Sequence, residues 1–166
     1  MSTIAIGRTA TGYLVRIGHH GTLRESRLVS EFLASLRGPA EVDVDLSGTA
    51  YLDSTFMGCL MGHHKRLNLG RQGRFRICGP VENLRRLMGK TRLDTVLPMV
   101  ETVPSLVGSE QELSAEAMDA GNLADFIADA HRKLAELGGP DSDAYARVAD
   151  RLEEESRSHA RRTHPG

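Results

Sequence analysis

A chain of 166 residues has room for one domain of ordinary size and an appendage, and with four Phe, three Tyr and no Trp its core must be mainly aliphatic. No apolar run approaches the roughly 18–20 residues that span a bilayer. The opening MSTIAIGRTA lacks the basic and apolar regions of a secretory leader, so a cytoplasmic protein without a membrane span is expected.

The net charge of −1 hides an asymmetry. Residues 1–108 carry 14 Lys/Arg against 9 Asp/Glu, a net of +5, whereas residues 109–166 carry 7 against 13, a net of −6. Segments of opposite sign attract each other or serve different partners, and neither excess points to nucleic acid. Cys59 and Cys78 match no disulfide framework and no zinc spacing, so they read as reduced thiols.

In chain order, TIAIGR (3–8) and YLVRIG (13–18) predict two strands joined in a hairpin by a Thr-Gly turn. His19 and His20 follow, but neighbours on a strand point to opposite faces, which argues against a shared metal. Thr22 can cap a helix from Leu23 to Leu36, with Leu28, Phe32 and Leu36 on one face, and Gly38-Pro39 ends it.

The stretch 41–62, EVDVDLSGTAYLDSTFMGCLMG, is the centre of the chain. Val42, Val44 and Leu46 alternate with Asp43, Asp45 and Ser47, the period of a strand. Ala50 to Leu52 resume it briefly. After Asp53-Ser54-Thr55 the period changes, because Met57, Leu60, Met61, His64 and Leu67 follow helical spacing. The polar triplet therefore sits where a strand feeds the first turn of a helix. Free N–H groups and the helix dipole favour negative charge there, so a hydroxyl at this point can carry a phosphate.

Residues 74–78 predict a further strand, Val81 to Gly89 a helix, and Thr95 to Val100 a last short strand interrupted by Pro98. The order β-β-α-β-α-β-α-β argues for an α/β fold in which helices pack on a mixed β-sheet. From Pro104 the composition shifts. A linker is expected over 104–109, then a helix over 110–137 with Leu123, Phe126, Ile127, Ala130 and Leu134 in one stripe. A second helix is expected over 141–162, with Tyr145, Val148 and Leu152 on one face and a frayed end. The boundaries are thus 1–103 for the α/β domain and 104–166 for an acidic helical extension. That extension is expected to pack as a helix pair on the domain, on a second copy by self-association, or on a partner.

Other arrangements carry less. Arg71, Arg74 and Arg76 have no aromatics among them and read as a solvated loop rather than a nucleic-acid site. Cys59 and His63 share a helix face, but no third ligand accompanies them, so no metal is expected. Ser54 lacks the G-x-S-x-G context of a nucleophile, and no Gly-rich phosphate loop occurs, so neither catalysis nor a bound cofactor is expected.

The stretches VDVDLSGTAYLDST and GRFRICGPVENLRRLMGKTRLDTVLPM resemble the STAS domain of bacterial anti-sigma factor antagonists, over roughly residues 3–103. The family's signature, Asp-Ser-[Ser/Thr]-Gly-[Leu/Met]-Gly, places the phosphorylated Ser first. The resemblance therefore implies Ser54 as phosphoacceptor, with Thr55 as the alternative, and a docking surface around Asp53, Thr55, Phe56, Met57 and Gly58. The implied partner is an anti-sigma factor that is also a Ser/Thr kinase, with a phosphatase if the switch is reversible. A non-switching scaffold or transport-complex subunit is the other role that the fold implies. The chain departs from the signature at Phe56, where the family usually has Gly. Helical spacing turns Phe56 partly outward, as an interface anchor or against the neighbouring loop. Asp53 reads as a helix cap or as a residue that orients the acceptor.

Overall fold

The computed structural model describes residues 4–114 and 120–163. The hairpin forms as expected from β1 (Ile4–Arg8) and β2 (Tyr13–Ile17), closed by a Thr9 N–H to Gly12 carbonyl bond of 2.9 Å. There follow β3 (His20–Gly21), α1 (Leu23–Ser35), β4 (Ala40–Asp45), β5 (Tyr51–Leu52) and α2 (Ser54–His64). The last of these continues as one π-helical turn, Lys65–Leu69. Then come β6 (Gly73–Cys78), α3 (Glu82–Thr91), β7 (Met99–Val100), β8 (Gln111–Leu113), α4 (Ala120–Ala135) and α5 (Ser142–Thr163). The fold is mixed α/β, with five helices on a six-stranded sheet ordered β7-β6-β4-β2-β1-β8. No helix among the described residues is long and apolar enough to cross a membrane.

β4 lies inside the sheet, parallel to β2 and β6, and its alternation sets the two faces. Val42 and Val44 join Val15, Phe75 and Ile77 in the core beneath the helices. Asp43 and Asp45 point the other way, yet each is only 2% exposed. Their cross-strand neighbours explain this: Arg76 Nε donates to Asp43 at 2.7 Å, and Arg16 Nε donates to Asp45 at 3.0 Å. Opposite charges facing each other across strands stabilise the pairing, and a buried carboxylate needs such a partner. The guanidinium pKa values of Arg16 and Arg76 are raised, first of all by these hydrogen bonds.

The small β3–β5 ladder brings two helix starts together. β3 leads into α1 and β5 into α2, and the two strands pair in parallel. Ala50 N–H donates to the His19 carbonyl at 2.8 Å, and Asp53 N–H to the Gly21 carbonyl at 2.9 Å. The α2 N-terminus is therefore held beside that of α1.

Four boundaries differ from the sequence expectation. α3 runs through Gly89 to Thr91, because its left-handed cap is Arg92 (φ 65°) instead of a glycine. Only Met99 and Val100 of the expected last strand pair with β6, and Leu93–Thr95 forms a 3₁₀ turn before them. α5 stays helical to Thr163, where fraying was expected.

The fourth correction concerns the expected linker and the start of the helical extension. Residues 111–113 are strand β8, paired antiparallel with β1, so the helix expected over 110–137 begins only at Ala120, with 115–119 outside the described residues. On the way, the Leu106 side chain lies against Gly7, and Val107 N–H donates to the Arg8 carbonyl at 2.7 Å. Glu110 pairs with Arg16, and Leu113 packs on the core. The segment after residue 103 thus crosses the back of the sheet and completes its edge.

Ending the chain at Ser114 should therefore preserve one cooperative thermal transition. Ending it at Val103 removes the burial of Leu106 and Leu113, about 1.5–3 kcal/mol for each side chain if fully buried. The shorter chain should melt about 10 °C lower. Equal melting temperatures by calorimetry would show that β8 contributes nothing.

Candidate functional site

The site begins with Asp53. Its backbone is extended (φ −82°, ψ 170°), and its carboxylate accepts from Phe56 N–H at 2.8 Å, which caps α2. The other carboxylate oxygen accepts from Leu23 N–H, in the first turn of α1, at 2.9 Å. One side chain therefore ties two helix N-termini, and the expected role of cap falls to it. Glu25 adds to the junction by accepting from Thr22 N–H at 2.9 Å. Ser54 is the first residue of α2, in the field of both dipoles.

The Ser54 hydroxyl has a partner that the sequence reading did not find. Its Oγ lies 2.8 Å from Nε2 of His131, which is on α4. The other ring nitrogen, Nδ1, is 2.8 Å from the Ile127 carbonyl oxygen. A carbonyl only accepts, so Nδ1 carries the proton. In the Nδ1–H tautomer Nε2 is an acceptor, and the Ser54 hydroxyl donates to it. The ring is 7% exposed and meets Tyr145 of α5 edge-on at 5.8 Å. A hydroxyl beside an imidazole is half of a nucleophilic triad. Here, however, the imidazole is oriented by a backbone carbonyl, and the pair lies in a helix seam.

That seam is unusually close at Gly58. A Cβ placed there would fall 2.0 Å from the Ala130 carbonyl oxygen, so the α2 and α4 backbones are in direct contact. At Gly62 the added carbon would sit 3.1 Å from Lys133 Cε. Ser54, Gly58 and Gly62 are four apart and form one narrow stripe of small residues on α2. This stripe, facing Ile127, Ala130, His131 and Leu134 at helical spacing, was the available signal for the missed contact.

The outward placement expected for Phe56 is corrected as well. The ring is 1% exposed and packs by Leu52 and Gly21, where a Cβ would come within 3.1 Å of it. Thr55, Met57 and Gly58 are buried as well, so of the expected docking group only Asp53 is half-buried, as is the expected acceptor Ser54. The helical spacing implied one buried face. In fact the β3–β5 ladder covers the face of α2 that carries Phe56, while α4 covers the Ser54–Gly58–Gly62 stripe on the other side.

Cys59 and His63 line a small crevice with Ser30, Phe126, Asp129 and Lys133, between α1, α2 and α4. Burial pushes the Cys59 thiol up to about 12, partly offset by hydrogen bonds with Ser26 and Ser30. Burial lowers the His63 imidazole to about 3, helped by Arg66 and Lys133, and Ser30 Oγ is its neighbour at 3.3 Å. Both groups are neutral at pH 7. His64 turns away to meet Asn68 Nδ2 at 2.7 Å. Among the described residues, no three His, Cys, Asp or Glu side chains could hold a metal. Arg74 and Arg76 lie on β6 in ion pairs with Glu41 and Asp43, while Arg71 occupies the exposed turn before it.

Phe56→Ala should cost about 3–5 kcal/mol of stability, the range for a buried aromatic. Denaturant unfolding of the full chain measures this. A loss under 1 kcal/mol would mean that the ring is free to move outward as an interface anchor.

No family model matches the chain, and no curated protein matches it.

Proposed function

We propose that this chain is a cytoplasmic, phosphorylation-controlled binding protein of the anti-sigma factor antagonist type, with Ser54 as phosphoacceptor. Its partner would be an anti-sigma factor that is also a Ser/Thr kinase. The observation that carries this reading is a hydroxyl on the first residue of α2, beside a second helix N-terminus tied to it by Asp53. The mixed α/β sheet, with β4 feeding β5 and then α2, supports the STAS-domain resemblance on which the partner class rests. The protein acts by binding and needs no cofactor, metal or nucleic acid of its own.

In the switch, the γ-phosphoryl group of ATP passes to Ser54 Oγ. The hydroxyl proton goes to a base on the kinase, and ADP leaves. A phosphatase reverses the state by hydrolysis. The phosphate adds about −1.5 to −2 charges. The helix dipole offsets part of this, by about 0.3–1 kcal/mol. A partner seated on α2 must instead desolvate the new charge or meet it with its own acidic groups, and either costs several kcal/mol. The unmodified form binds and the phosphorylated form is released. Thr55, with its side chain buried, is the alternative acceptor. A non-switching scaffold or transport-complex subunit is the second reading, favoured by the packing of α4 over Ser54.

Titration calorimetry against a candidate kinase, followed by phosphosite mapping after ATP, tests the proposal. Ser54→Ala should bind persistently and remain unmodified, and Thr55→Ala should still be phosphorylated. Ser54→Asp should bind about a hundredfold more weakly, a difference of about 2.8 kcal/mol. Phosphate found elsewhere, or equal affinity of the plain and phosphorylated forms, would refute the switch.

A further inference from the structure

We infer that α4 and α5 form a built-in cover that occupies the docking face of α2 and must swing away before a partner or a kinase can reach Ser54. The regulatory part of this inference rests on the proposed role of Ser54; the cover itself rests on geometry alone. Three contacts define it. The Ser54 hydroxyl is engaged by His131 at 2.8 Å, Gly58 admits the Ala130 backbone with no space for a single carbon, and Lys133 lies over Gly62. A kinase active site needs the hydroxyl free and open to an incoming phosphoryl group, which a helix at hydrogen-bond distance prevents. A partner helix would compete for the same stripe.

The composition of the cover suits displacement. Among the described residues, Leu134 is the one large apolar side chain of α4 and α5 that is fully buried, and the other buried apolar residues of the pair are the small Ala128, Ala130 and Ala149. The remaining ties are polar or partly exposed. Lys65 pairs with Glu136, Tyr145 and Leu137 only flank the core, and Arg132 holds α4 to α5 through Asp150 and Glu153, each at 2.9 Å. Surface pairs of this kind hold orientation more than they hold stability. The opposite charges of the two segments, a net of +3 over residues 1–114 and −4 over 115–166, draw the cover onto the domain without requiring a large apolar contact. β8, by contrast, belongs to the sheet, so the cover comprises α4 and α5 alone. Local opening of a weakly packed unit, while the sheet stays folded, is how such a segment would be released.

Cys59 reports on the cover without any partner, because its crevice is closed by Phe126, Asp129 and Lys133 of α4. The full chain carrying Cys78→Ala has this one thiol, to be labelled with an aromatic disulfide reagent while hydrogen exchange is followed. Leu134→Asp on the same background should speed Cys59 labelling at least tenfold. It should also deprotect α4 and α5 while leaving β4 and β6 protected. In the unsubstituted chain, α4 amides should exchange at least tenfold faster than those of β4 and β6. Equal labelling of both proteins overturns the inference. So does exchange of α4 only together with the sheet, or loss of sheet protection in Leu134→Asp, since the helices would then be part of one core. With a candidate kinase, Leu134→Asp should gain phosphate at Ser54 at least tenfold faster, and equal rates overturn the gating. Lack of phosphate at Ser54 in both proteins would instead sink the proposed function, with the cover still judged by thiol and exchange data.

Discussion

The approach of two backbones at Gly58 is the constraint on which the site depends. A glycine inside a helix costs about 0.5–1 kcal/mol relative to alanine, so α2 gives up stability at that position. What it gains is contact with the Ala130 carbonyl, and no residue with a Cβ could keep the helices so close. From that approach follow the reach of His131 to Ser54 and the closing of the crevice around Cys59. The neutral state of His63 follows as well, since its burial comes from the same enclosure, with Lys133 of α4 adding to the shift.

Asp53 supplies the complementary half of the arrangement. Its two oxygens serve two different helices, and this works because the β3–β5 ladder sets those helix starts side by side. An acceptor residue next to this carboxylate sits among N–H groups and dipoles already aligned toward negative charge. The same residue is a structural cap and the chain neighbour of Ser54, the proposed acceptor. On the opposite face of the sheet, Arg16 and Arg76 neutralise Asp45 and Asp43, which lets residues 42–45 of β4 run buried between its neighbours.

Much of this was legible in the chain because it is local. The alternation of Val42, Val44 and Leu46, the cap at Thr22 and the change of period at Asp53 each appear within a few residues. β8 was not legible, because Gln111-Glu112-Leu113 has no alternation of its own and becomes a strand only by pairing with β1. Phe56 was misplaced because periodicity assumes one buried face, and the β3–β5 ladder, with Gly21 and Leu52, covers a second. His131 was invisible for a plainer reason: it meets Ser54 across 77 positions, and no local pattern carries such a contact. The α4 stripe itself was seen, and what remained open was which surface it would cover.

The whole site turns on the hydrogen bond between the Ser54 hydroxyl and His131 beneath α4. Nitrogen-15 correlation of the His131 ring in the full chain, with nuclear Overhauser contacts to Ser54, measures it. The expected result is the Nδ1–H tautomer, with contacts between the ring and the Ser54 β-protons. A ring in the Nε2–H form that exchanges freely with solvent and shows no contact to Ser54 would contradict it.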